Sequence, residues 1–138
     1  MKSSLRTTAL VTEGVDRRLY ALEDGTIIKV PKTKLGHSKS EMEFLVYGKL
    51  PEEIRKHICT IIDYVNGCIQ VRKATSLASL ESQGDIDAKD VERMIASKWF
   101  VVEYLENDHN VNGEKLTMGE NWGILDGEIV ILDFGCEI

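Results

Sequence analysis

The stretch NWGILDGEIVILDFGCEI, residues 121–138, decides the reading of this chain. Asp126 and Gly127 sit between two β-rich runs, and Asp-Gly is a pair that two-residue hairpin turns select, because both central residues need positive φ. Four apolar residues, Ile129 to Leu132, then lead into Asp133. That is the pattern of a buried strand ending in a carboxylate, and a carboxylate so placed needs a partner. The turn sets Asn121 and Asp133 at the two ends of one hairpin. An amide oxygen and a carboxylate then fall at one edge of a small sheet.

The rest of the chain supplies what that hairpin packs with. At 138 residues with 43% hydrophobic residues, it predicts one domain with a real core. The net charge of −6 is mixed along the chain, which argues for solubility and against a general nucleic-acid binder, since that would need a basic stripe. Cys59, Cys68 and Cys136 are an odd number without close spacing, so the expectation is a reducing, cytoplasmic setting without a disulfide framework. No apolar run approaches the roughly 20 residues that a membrane helix needs, and no secretion signal is read at the start.

Periodicity predicts strands over 8–12, 17–22 and 26–30, the last two joined by a turn at Glu23–Asp24–Gly25. A helix follows. Ser38 and Ser40 each precede a glutamate by three residues, Glu41 and Glu43, giving two overlapping capping boxes. Met42, Leu45, Val46 and Leu50 are its expected apolar stripe, and Pro51 stops it. Residues 58–64 and 68–72 read as strands around the Asn66–Gly67 turn. A polar stretch, 73–85, holds one or two helical turns at Ser76–Leu80. Asp87 caps a long helix over about 88–107, with a stripe of Val91, Met94, Ile95, Trp99, Val102 and Leu105. The fold class is α+β: an antiparallel sheet with one helix, then a smaller half with a long helix and the final hairpin.

That order, with these residues on it, resembles the protein-kinase-like fold, in a form nearer to small-molecule kinases and kinase-like proteins of phages. The resemblance implies an N-lobe-like part over 1–73 and a reduced C-lobe-like part over 74–138, within a single domain. TIIKV resembles the strand whose lysine meets nucleotide phosphates, which makes Lys29 that residue. EFLVYGKL resembles the helix that follows, with Glu43 as the lysine's partner. Asn121 and Asp133 match the two Mg²⁺-ligand positions, and Asp133–Phe134–Gly135 is the metal-binding motif. Weak Mg²⁺-ATP binding is the cofactor expectation. Phosphoryl transfer is mostly positioning and charge neutralisation, which suits a lysine and two oxygen ligands.

The sequence also departs from that pattern. The catalytic aspartate of kinases lies five residues before the metal-binding asparagine, and Leu116 stands there. Leucine cannot accept a proton from a hydroxyl. Asp108, Glu114 and Glu120 are not at the right spacing. VTEGVDRRL holds one glycine where a phosphate-cradling loop wants two or three. The chain stops just after the Asp-Phe-Gly motif, without an activation segment. The expectation is therefore a degenerate, pseudokinase-type protein that works by binding a protein partner, a host regulator in the host cytoplasm if the chain is phage-encoded. The alternatives are a minimal Mg²⁺-ATP phosphotransferase and a nucleotide sensor without chemistry. Trp99, Phe100 and Val101 form the expected interaction surface, for a protein partner or a homodimer, because they broaden the apolar face of the long helix. His57 and Cys59 read as structural rather than metal-binding, and Trp99 and Trp122 as core.

Overall fold

Two compact units make up the computed structural model, which describes residues 6–134. One comprises the chain up to Lys49 together with Thr60–Lys73; the other comprises Leu50–Cys59 and the chain from Ala74 onward.

The first unit is a five-stranded antiparallel sheet with one helix. Strands β1 (Thr7–Glu13), β2 (Arg17–Leu22), β3 (Ile27–Pro31), β4 (Ile61–Val65) and β5 (Cys68–Val71) lie in the order β1-β2-β3-β5-β4. The Asp24–Gly25 turn sets the β2–β3 register, with Ala21 opposite Ile27, Leu19 opposite Lys29 and Arg17 opposite Pro31. Alternate residues share a face, so Arg17, Leu19, Lys29 and Ile27 all lie on one side of the sheet. Asn66 and Gly67, at φ 49° and 87°, form the expected tight turn between β4 and β5.

Helix α1 (Lys34–Lys49) starts earlier than the serine capping boxes predict. Thr33 is the residue that caps it: its Oγ1 accepts from the Gly36 amide at 3.0 Å. Ser40 therefore sits inside the helix. The buried face is Gly36, Ser40, Glu43 and Val46, a correction to the expected stripe, in which Leu45 proves exposed. Gly36 is required there, because a Cβ would stand 2.1 Å from the Asp16 carbonyl oxygen.

The second unit is a three-stranded antiparallel sheet, β6 (Thr75–Ser76), β7 (Trp122–Leu125) and β8 (Glu128–Ile131), with short helices. These are α2 (Glu52–Arg55), α3 (Leu77–Ser82), α4 (Ala88–Ser97) and α5 (Trp99–His109). The β7–β8 hairpin turns at Asp126 and Gly127, both at positive φ, as the sequence predicts. The run expected to be one strand over 58–64 serves two sheets. Ile58 bridges Ile131 in parallel, with the Cys59 amide donating to the Ile131 carbonyl at 2.8 Å, whereas Ile61–Val65 joins the first unit.

The long helix is also two. Asp87 caps α4 with a full capping box to Asp90, and the helix breaks at Lys98, whose φ and ψ are −113° and 12°. Two β-branched residues, Val101 and Val102, follow closely, and such residues weaken a helix. After the break, Val101, Val102 and Leu105 are wholly buried. No helix among the described residues is long and apolar enough to cross a membrane.

Candidate functional site

In the first unit the buried face of α1 lies over the face of β2 and β3 that carries two cations. The Lys29 Nζ stands 3.7 Å from Glu43 Oε2, so the strand lysine and the helix glutamate do come together. A third residue joins them. Arg17, from the start of β2, places Nη2 2.8 Å from Glu43 Oε1 and donates from Nη1 to Ser40 Oγ at 3.3 Å. All four residues are buried, Glu43 to 2% exposure and Ser40 fully. Ion pairs at such depth have to be fully hydrogen-bonded to persist. The serines that read as caps thus divide their roles: Ser38 is exposed, and Ser40 anchors a guanidinium.

Arg17 is the residue that sequence reasoning missed. A signal was present. The Asp24–Gly25 turn fixes which residues of β2 face Lys29, and Arg17 is two places from Leu19, the direct partner of Lys29. Diagonal neighbours on one face lie within reach of long side chains. Ser40 and Glu43, three apart, share a helix face in the same way.

The turn between β1 and β2 is tied to the start of α1. Asp16 accepts from Thr33 Oγ1 and from Lys39 Nζ, each at 3.1 Å, and its carbonyl accepts from the Lys32 amide at 2.7 Å. Lys32 Nζ meets Glu13 at 2.6 Å and the Gly14 carbonyl at 3.0 Å. The hydrogen bond from Lys39 foremost holds the Asp16 carboxyl below its ordinary range, and Lys32 does the same for Glu13.

In the second unit the candidate metal residues sit at the open end of the β7–β8 hairpin. The Leu132 amide donates to the Asn121 carbonyl at 2.8 Å, extending the ladder by one pair, and Asp133 follows. The Asn121 side-chain nitrogen donates to the Lys115 carbonyl at 2.7 Å, which fixes the amide and leaves its oxygen as the atom suited to a cation. Asp133 is half-buried. One carboxylate and one amide oxygen are the hard ligands that Mg²⁺ accepts when phosphates and water complete its shell. Gly135 of the Asp-Phe-Gly motif and Cys136 lie outside the described residues.

Leu116 is fully buried, in a 3-10 turn at Gly113–Thr117, and its carbonyl accepts from the Trp122 indole at 2.8 Å. Trp122 is itself fully buried and is core, as expected. The expected interaction surface divides. Phe100 is 52% exposed and Trp99 half-buried, but Val101 is fully buried and belongs to the core, because the break at Lys98 turns it inward. The Phe100 and His57 rings meet edge to face, with centroids 5.3 Å apart. His57 and Cys59 are both buried, and among the described residues no three His, Cys, Asp or Glu side chains gather as a metal-binding group. No protein-family model matches this chain, and no curated protein matches it.

Proposed function

We propose that this chain is a kinase-like protein that binds Mg²⁺-ATP weakly, transfers no phosphoryl group, and works through a protein partner. The single observation that carries the reading is Leu116. Where a kinase has its proton acceptor, this chain has an apolar side chain sunk in the core, with its backbone held by Trp122. A base must reach the proton it removes, and leucine has no atom to accept one. The buried contact of Lys29 with Glu43 supports a retained phosphate-binding lysine, and the Asn121–Asp133 hairpin end supports retained metal ligands. Bound Mg²⁺ would neutralise phosphate charge, with Asn121 and Asp133 as its protein ligands.

Calorimetry with Mg²⁺-ATP tests the binding, and transfer from labelled ATP to candidate acceptors tests the chemistry. Weak heat, lost in Lys29→Met, with no transfer is the expected result. Robust transfer abolished by Asp133→Ala would replace this reading with a minimal phosphotransferase. For the partner, the exposed Phe100 ring is the proposed contact. Phe100→Glu should abolish capture of the partner, or dimerisation seen by light scattering, without changing the thermal midpoint by more than a few degrees. A monomer whose captured proteins are unaffected by Phe100→Glu removes this surface.

A further inference from the structure

His57 is buried in the second unit, and its ring is engaged from two sides. Its Nδ1 stands 3.3 Å from Lys98 Nζ, and its ring meets that of Phe100 edge to face. An ammonium can only donate, so Nδ1 accepts, and the neutral ring carries its proton on Nε2. The backbone beneath the ring is fixed. The His57 amide donates to the Ile54 carbonyl at 3.0 Å, and its carbonyl accepts from the Ile131 amide at 2.9 Å. The two side chains that meet the ring are less constrained. Lys98 is half-buried at the break between α4 and α5, α5 starts there without a side-chain cap, and Phe100 is 52% exposed. We propose that the Lys98–His57–Phe100 contact is a pH-operated latch: protonation turns Nδ1 from an acceptor into a donor, expels Lys98, and frees the Phe100 ring from its place against the imidazole.

Two cations 3.3 Å apart repel, and a charged ring whose backbone cannot retreat has to be solvated where it stands. Lys98, on a flexible stem, swings out to water, and Phe100, the exposed neighbour, moves to admit it. The elements packed around the ring bring three charges to bear on it. Lys98 at the helix break and Lys56 after α2 oppose protonation, Glu128 of β8 favours it, and burial opposes it most. The latch is therefore closed above the ordinary histidine value near 6.5 and opens below it. Phe100 is the proposed partner contact, so that surface differs between neutral and mildly acidic solution. This consequence rests on the functional reading above, whereas the latch itself needs neither nucleotide nor partner.

The test uses the full chain with para-fluorophenylalanine at its three phenylalanine positions, the Phe100 signal being assigned through Phe100→Leu. Fluorine NMR, and nitrogen NMR of the imidazoles, are followed from about pH 8 to about pH 5. At the alkaline end the His57 Nδ1 should give the signal of a bare nitrogen. The Phe100 fluorine signal should then shift with one midpoint, below about 6.5, that coincides with titration of the His57 ring. His57→Gln keeps an acceptor for Lys98 but does not titrate, so it should abolish the shift. His109→Gln, at the far end of α5, should leave it in place. Lys98→Met removes an opposing charge and should raise the midpoint by about one pH unit. If His57→Gln does not fold, Lys98→Met decides. A Phe100 signal that does not change over this range overturns the proposal, as does a shift that survives His57→Gln, a midpoint unmoved in Lys98→Met, or a protonated Nδ1 at the alkaline end. Partner capture that is unaffected by Phe100→Glu removes the functional reading at that surface and leaves the latch standing.

Discussion

Replacing Glu43 by alanine removes a carboxylate that Arg17 and Lys29 share in the first unit's buried face. At an effective dielectric of about 20, the 2.8 Å contact is worth about 6 kcal/mol of gross attraction and the 3.7 Å contact about 4–5 kcal/mol. Desolvation of the three charges offsets most of that while the cluster is whole. Loss of the carboxylate removes its share of the compensation for burying the two cations, and breaking a buried pair in this way costs about 3–5 kcal/mol. For a chain of this size that corresponds to a fall in thermal midpoint of roughly 10–20 °C. Glu43→Gln keeps the shape and an acceptor for Arg17, so its loss should be smaller, about 1–3 kcal/mol. The assay is urea denaturation of both variants beside the wild type, followed by far-UV and fluorescence signals. A double-mutant cycle with Arg17→Ala should return a coupling of at least about 1 kcal/mol. A loss below about 1 kcal/mol for Glu43→Ala would refute the reasoning, because the carboxylate would then contribute little to holding α1 against β2 and β3.

Leu116→Asp, which restores a carboxylate at the kinase base position, should create no enzyme and should instead cost about 5 kcal/mol or more, from a lost buried side chain and a buried charge; a thermal midpoint within a few degrees of the wild type counts against this. His57 is held below its ordinary value near 6.5 by burial first, then by the charges of Lys98 and Lys56, with Glu128 acting the other way. The unfolded chain therefore takes up this proton first as the pH falls, and stability is lost from about pH 6.5 downward towards the folded value. His57→Gln should flatten that slope, and denaturant titrations at several pH values between about 5 and 8 should show it; parallel curves for the two proteins would exclude His57 as the source.

Elements with local signals were legible in the sequence. The turns at Asp24–Gly25, Asn66–Gly67 and Asp126–Gly127 lie where the residue pairs place them, because positive φ restricts what can stand there. Strand β2 begins and ends at the expected residues. Two kinds of feature were not legible. The phase of α1 was misread because its buried face is polar: Ser40 and Glu43 face inward only because Arg17 and Lys29 meet them, and an apolar stripe is the wrong signal for such a face. The breaks at Thr60 and Lys98 were hidden because apolar residues run on across both, and hydrophobicity does not say which sheet or helix a residue joins. At the candidate site, Lys29 and Glu43 could be paired through the resemblance to the kinase-like fold, while Arg17 needed the strand register.

The passage of the chain through Leu50–Cys59 has a practical consequence for anyone dividing this protein. Ile54 and Ile58 are buried, and the Ile131 amide and carbonyl both bond into this segment, to the His57 carbonyl and the Cys59 amide. A single cut after Lys73 would leave that segment attached to the first unit and strip β8 of its bridge to Ile58. A cut before Leu50 would instead sever β4 and β5 from β1–β3. Neither scission releases two intact pieces, so limited proteolysis should yield either the whole chain or small fragments, and expression of either half alone should yield insoluble material.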